Sequence, residues 1–207
     1  MARVISVTLP LWPIDRLRRS APEEAPASDE RPLVLASRVG NRRLVTAACS
    51  VAQELGLSVG MPVSKAQALV PGLQVVPHDP AADAVSLERL ALWVLQRVLP
   101  IVAVDPPDGL VIDSTGADHL HGGEEAMLET LIGRLVMSGV TARAAIADSW
   151  GAAHALARHV AEPMHVSEPG VAEALLAPLP LAALRLLPAT LASLGTLGFT
   201  CIGDLLH

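Results

Sequence analysis

Asp105, Asp108 and Asp113 fall within nine residues of one another, a density of acidic oxygens that a divalent cation could use. The segment around them limits that chemistry. Two short apolar runs, 101–104 and 110–112, flank Asp-Pro-Pro-Asp-Gly, which reads as a tight connection between antiparallel strands. Pro106 and Pro107 cannot continue a ladder, and Gly109 relaxes the backbone where the second strand starts. Asp108 and Asp113 are an odd number of residues apart, so on a regular strand they face opposite sides, which argues against one shared metal. The same residues also suit a purely local role: Asp105 and Asp108 in a turn, Asp113 in an Asx turn at a strand end. His119 and His121, followed by Glu124 and Glu125, could supply metal donors, but His-x-His on a loop more often marks a turn. Asp148, Ser149 and His154 are the residue types of a hydrolytic triad without the Gly-flanked turn that exposes such a nucleophile. Cys49 and Cys201 have neither metal nor redox spacing and read as buried thiols.

Elements that position these side chains follow from periodicity. A first strand at 3–9 is stopped by Pro10 and Pro13, and a helix follows from Ile14. Residues 20–32 form an acidic, Pro-rich loop. Strands at 32–37 and 42–46 pair around Gly40-Asn41, followed by a helix at 47–57, a short helix at 64–70 and a strand-like connector at 71–79. Asp83 is expected to cap a helix running to Leu99, with Leu87, Leu90, Ala91, Val94, Leu95 and Val98 as its apolar stripe. After the acidic hairpin come a helix at 124–138 closed by Gly139, a strand at 141–147 and a helix at 149–160 capped by Ser149 or Asp148. Residues 163–180 read as a linker with a short helix, and 184–207 as a helix-hairpin-helix. Together the first strand and the elements from residue 80 make a split β-α-β-β-α-β palm of about four strands, interrupted at 17–79.

Composition narrows the function classes. A length of 207 residues and 51% hydrophobic content supply ample core, yet no apolar run reaches the ~18–20 residues of a membrane span. Met-Ala-Arg-Val-Ile-Ser-Val lacks the apolar run of a signal peptide, so the expected location is cytoplasmic. The net charge of −6 opposes independent tight nucleic-acid binding. Lys65 is the sole lysine; the arginines cluster as Arg16, Arg18, Arg19 and as Arg38, Arg42, Arg43. Tyr is absent and Phe199 is the sole Phe, so platforms for stacking bases are scarce.

Two stretches carry a resemblance. Asp108-Gly-Leu-Val-Ile-Asp-Ser-Thr-Gly116, then His119-Leu-His-Gly-Gly-Glu124, resembles the palm hairpin of Y-family (translesion) DNA polymerases, whose Asp-Glu pair holds catalytic magnesium. The Asp-Gly-Leu version followed by His-Leu-x-Gly-Gly-Glu is similar to ImuB-type proteins, polymerase-like subunits of bacterial mutasomes that have lost their catalytic residues. Leu194-Gly-Thr-Leu-Gly-Phe-Thr-Cys-Ile-Gly-Asp-Leu205 is similar to the thumb pattern of the same polymerases. The resemblance implies an α/β (α+β) fold: a ferredoxin-type palm (1–16 and 80–165), a small fingers insertion (17–79) and a truncated helix-hairpin-helix thumb (166–207).

Carried over by position, the resemblance puts Asp108 on the family's Asp and Gly109 on its Glu. Thr8, in Thr8-Leu9-Pro10-Leu11-Trp12-Pro13, takes the place of the first-strand metal Asp. Ser50 and Gln53 stand where the fingers carry Tyr and Arg for the triphosphate, and His154 where the palm carries Lys. Leu186-Leu-Pro-Ala-Thr replaces the first Gly-rich hairpin of the thumb. Leu9-Pro-Leu-Trp12 is similar to a clamp-binding peptide but ends a core strand. The implied function is a non-catalytic scaffold in translesion synthesis, without cofactor. Its partners would be a RecA-like accessory protein, an error-prone C-family polymerase and the sliding clamp, partly through regions outside these residues. Weak DNA contact is expected at Arg38, Arg42, Arg43 and the backbone of Gly198 and Gly203. Two other functions stay open: an active polymerase using Asp105, Asp108 and Asp113, or a plain helix-hairpin-helix DNA-binding module.

Overall fold

The computed structural model describes residues 2–20 and 31–206. In chain order the first elements are β1 (Val4–Thr8), α1 (Trp12–Ser20), β2 (Leu33–Val39), β3 (Arg42–Ala48), α2 (Ser50–Glu54), α3 (Val63–Leu69) and β4 (Gln74–Pro77). Next come α4 (Pro80–Arg97), β5 (Val102–Asp105), β6 (Gly109–Asp113), α5 (Asp118–His121), α6 (Glu124–Met137), β7 (Arg143–Ala147) and α7 (Trp150–His159). The last are β8 (Met164–Val166), α8 (Ala172–Leu176) and α9 (Pro188–Thr196), with 3-10 turns at Leu181–Leu184 and Ile202–Leu205. The expected loop at 20–32 falls largely on residues 21–30, outside the described residues.

The chain divides into two compact units. One comprises Met1–Leu9, Glu88–Met137 and Ala142–His207; the other comprises Pro10–Leu87 and Ser138–Thr141.

The first unit is built on a sheet in the order β5-β6-β1-β7-β8, with β1 antiparallel to both neighbours and β8 parallel to β7. Strand alternation sorts its residues. Ile5, Val7, Leu110, Ile112, Ala144 and Ile146 share one fully buried face. The opposite face carries Ser6, Thr8, Gly109, Ala145 and Ala147, and there α7 packs through Ala152, Ala153, Leu156 and Ala157. Alanines on both surfaces let the helix axis approach the sheet closely. That closeness brings the longer side chains of α7 to the hairpin. α6 lies against β7 and β8 and buries Met127, Leu128, Leu131 and Leu135.

Arg3 ties this unit together. Its Nε and Nη2 donate to the two oxygens of Glu124 at 2.6 Å each, Nη1 donates to Asp148 at 2.8 Å, and Nη2 also donates to the Ser167 carbonyl at 2.7 Å. The bidentate fork holds the starts of β1 and α6, the end of β7 and the segment after β8. The Glu124 hydrogen bond, the largest influence, keeps the guanidinium pKa raised against the opposing effect of burial.

The second unit has a three-stranded sheet, β3-β2-β4, with β2 and β4 parallel. Its core gathers Ile14, Leu17, Leu33–Ala36 side chains, Val45, Cys49, Leu57, Val63 and Val76. Asp83 is not the α4 cap that the sequence suggested. Asp79 accepts from the Ala82 N–H at 3.0 Å and caps the helix, while buried Asp83 accepts from Arg16 Nε and pairs with His78 Nε2, each at 2.6 Å. The Trp12 indole N–H adds a bond to the Asp83 carbonyl at 3.1 Å.

Four other expectations need correction. The helix at 47–57 shrinks to α2, because Ala47 and Ala48 extend β3 and pair with Leu35 and Val34 past a register shift. The sheet has five strands, since three residues of the 163–180 linker add β8. Leu95 is exposed, not part of the buried stripe of α4. The second thumb helix is only the 3-10 turn Ile202–Leu205.

Candidate functional site

The acidic hairpin sits beside α7. The register places Thr8 directly between Gly109 on β6 and Arg143 on β7, so a hydroxyl and a residue without a side chain stand next to each other on this face. Asp108 is taken by a cation: Arg158 Nη2 donates to its Oδ1 at 2.8 Å. The same nitrogen would stand 3.3 Å from a Cβ added at Gly109. That Cβ would also lie 2.9 Å from the Val7 carbonyl and 3.1 Å from the Asp105 carbonyl, both backbone atoms of the sheet. Glycine is therefore required here by close approach, and the guanidinium fills the space next to it.

Asp105, which is 3% exposed, faces two more basic side chains. Arg185 Nη2 lies 3.2 Å from its Oδ1, and His154 Nε2 lies 3.6 Å from its Oδ2. Arg185 has φ of 58°, an αL conformation uncommon for a residue with a side chain, and its guanidinium stacks 4.3 Å over the Trp150 ring. His154 is pushed down to about 4, mainly by burial and then by the Arg158 charge, which together outweigh Asp105. It is neutral at physiological pH.

Asp113 is elsewhere. Its exposed carboxylate accepts from the Thr115 N–H at 2.9 Å, the Asx turn read from the sequence, and these hydrogen bonds from Thr115 hold its pKa below the usual carboxylate range. Asp108 precedes β6 and does not sit on it, so alternation along the strand is not what separates the two carboxylates. Asp105 pairs with Gly109, four residues before Asp113 on β6, which corresponds to roughly 13 Å along the strand.

The remaining sequence-selected residues are dispersed. Ser50 begins α2, and the Gln53 side-chain amide donates to the Ala48 carbonyl at 2.8 Å. Glu124 is held by Arg3, leaving His119 and His121 on the short α5 without it. Asp148 binds Arg3 and the Gly170 N–H at 2.7 Å, and Ser149 accepts from the Ala152 N–H as the cap of α7, so neither faces His154 as a triad would. Leu9 and Trp12 are buried, unlike an exposed clamp-binding peptide. Both cysteines are free; Cys49 is buried and Cys201 is half-buried. Among the described residues, no group of three or more His, Cys, Asp or Glu is placed to hold a metal ion, and no helix is long and apolar enough to cross a membrane.

Arg42 and Arg43 line one groove of about 490 Å³ with Asn41, Ser64 and Gln67, while Arg38 Nε donates to the Gly40 carbonyl at 3.2 Å. Gly198, at φ of 91°, follows the last turn of α9 in the left-handed conformation that ends a helix. The Gly203 N–H donates to the Ala177 carbonyl at 2.8 Å and is not directed at solvent. Asp204 accepts from the Thr200 and Cys201 N–H groups at 2.7 and 3.0 Å; led by the Cys201 N–H, these bonds lower its carboxyl to about 2. Sequence reasoning missed Arg158 and Arg185. Arg158 lies four residues after His154, one helical turn along the same face, and that spacing was the available signal.

A model of the impB/mucB/samB family matches residues 21–163. The chain belongs to this family. Within it, the chain is 50% identical over 152 residues to Protein ImuB of Caulobacter vibrioides (strain NA1000 / CB15N), covering 73% of this chain and 33% of that protein. It is 31% identical over 185 residues to DNA polymerase IV of Caulobacter vibrioides (strain ATCC 19089 / CIP 103742 / CB 15), covering 87% of this chain and 45% of that one. The chain thus spans less than half the length of these curated relatives. Solved structures agree on the fold: DinB from Sulfolobus solfataricus matches with TM-score 0.75 at 21% identity, over 99% of this chain and 60% of that one. An insertion ternary complex of Dbh DNA polymerase matches with TM-score 0.78 at 20% identity, over the same shares. This member of the impB/mucB/samB family is an ImuB-type chain with the palm-containing α/β fold of Y-family polymerases.

Proposed function

We propose that this chain is a non-catalytic, polymerase-shaped scaffold that helps recruit an error-prone polymerase to damaged DNA. The observation that carries the proposal is the Asp108–Arg158 pair beside Gly109 and Thr8. Two-metal phosphoryl transfer needs anionic oxygens that hold two Mg²⁺ ions ~3.5–4 Å apart. Here the retained carboxylate is neutralised by a guanidinium, and the two neighbouring positions offer no anionic ligand. The residues do not fit the metal pair. A neutral His154, and a Gln53 whose amide donates to the Ala48 carbonyl, leave no fixed cation at the positions corresponding to the triphosphate clamp.

An active polymerase using Asp105, Asp108 and Asp113 is disfavoured by the separation of Asp113 from the other two. A simple DNA-binding module is disfavoured by the −6 charge and by the engaged Gly203 N–H. In the scaffold function, 1–16 with 80–165 serves as palm, 17–79 as fingers and 166–207 as thumb. The partners are a RecA-like accessory protein, a C-family polymerase and the sliding clamp. The test is damage-induced mutagenesis in cells whose copy carries Asp108→Asn. A stably produced variant should retain mutagenesis; its loss would overturn the proposal.

A further inference from the structure

Among the described residues, β5 at the outer edge of the five-stranded sheet pairs on one side only, with an apolar groove on each of its faces. The Asp113 N–H donates to the Ile101 carbonyl at 3.1 Å, so the alternation of an antiparallel ladder turns the backbone of Ile101, Ala103 and Asp105 toward β6. Val102 and Val104 then direct their N–H and C=O groups outward. On the face shared with Thr8 and Gly109, a groove of about 560 Å³ is lined by Ile101, Ala103, Asp105, Val111, Trp150 and Arg185, among others. On the other face, a groove of about 270 Å³ lies between β5 and the Glu88, Ala91, Leu92 and Leu95 side of α4. Leu92 (56%), Leu95 (41%) and Ile101 (59%) are the large apolar side chains left exposed along this edge.

We propose that β5 is the interface of a symmetric dimer, its occupant a second copy of this chain. The register is self-complementary. A two-fold axis at Ala103 sets Val102 against Val104 of the second copy and Val104 against its Val102, so the outward-facing backbone groups meet as hydrogen-bonded pairs. Alanine, the smallest side chain of the strand, then lies at the axis. Ile101 is brought opposite Asp105 of the second copy, at the mouth of the groove lined by Trp150 and Arg185. Charges match in the same operation. The end bearing Asp113 meets the end bearing the half-exposed Arg185, and, because α4 runs antiparallel to β5, Glu88 comes toward Arg97 of the other α4. Pro100 and Pro106 bracket the strand, which limits pairing to this short segment and closes the assembly at two copies.

The test is sedimentation equilibrium on the 207-residue chain up to about 200 µM, with hydrogen exchange on the Val102 and Val104 amides. A species of twice the 21.6 kDa monomer mass is expected, with both amides protected. Leu92→Lys with Leu95→Lys, or Arg97→Glu alone, should weaken association at least tenfold, and Glu88→Arg added to Arg97→Glu should restore it. These surface changes leave the core intact, and circular dichroism checks that. A monomer throughout the range overturns the proposal. So does a dimer that ignores these substitutions, or one in which the Val102 and Val104 amides exchange freely.

Discussion

His154 gives the most quantitative handle on the site. Its pKa falls from 6.5 to about 4 on folding, chiefly through burial, and its side chain is only 9% exposed. Between those values the unfolded chain binds a proton that the folded chain refuses. Stability therefore declines as pH drops through 6.5 and levels off below the folded pKa. With each pKa unit worth about 1.4 kcal/mol, lowering the pH from 8 to about 4.5 should remove roughly 2–3 kcal/mol through this residue alone. His154→Gln is neutral at every pH and lacks this contribution, so its urea midpoint should shift correspondingly less over the same range. Every other ionisable group is common to the two proteins, so the difference isolates His154. An NMR titration of its ring Cε1–H reports the midpoint directly. A midpoint near 6.5, or equal pH dependence in the two proteins, would refute the reasoning and restore a cationic candidate at the position proposed above for the clamp.

Three further outcomes follow from the geometry. Arg3→Met leaves Glu124 and Asp148 facing each other without their cation, and should cost roughly 2–4 kcal/mol in urea unfolding, less than a fully buried pair because both carboxylates keep some exposure; a change under ~0.5 kcal/mol would contradict this. Gly109→Ala forces a Cβ against the Val7 and Asp105 carbonyls and should cost about 1–3 kcal/mol; an unaltered unfolding midpoint would contradict the close approach at this position. DNA binding should be weak and salt-dependent, and Arg42→Ala with Arg43→Ala should lower the slope of log affinity against log salt by about one per arginine; an unchanged slope would place the contact elsewhere.

Much of this was legible from residues 101–124, because a Pro-Pro turn between two apolar runs admits few structures and the Asp-Gly-Leu pattern is specific. The antiparallel pairing of residues 3–9 with the hairpin followed from that pattern. Two kinds of feature escaped. Short elements such as β8 have too few residues to display a period, and at Ala47–Ala48 tertiary pairing overrides helix propensity. Long-range ion pairs were the larger omission. Nothing local to Arg158, Arg185 or Arg3 says that their partners lie 50, 80 or more than 100 residues away in sequence. Asp83 is the same lesson in reverse: a good cap residue by type, it is drawn instead into a buried contact with Arg16 and His78, while Asp79 assumes the cap.

The central claim is that the centre at Asp108 is neutralised from within and does not polymerise DNA. Primer extension with purified protein, Mg²⁺ or Mn²⁺ and all four nucleotides tests it most directly, run beside Asp108→Ala and Thr8→Asp/Gly109→Glu. The account predicts no extension by the wild type and little or none by the restored double variant, which still lacks the cationic clamp. Extension by the wild type that disappears in Asp108→Ala would contradict it and move the protein into the enzyme class.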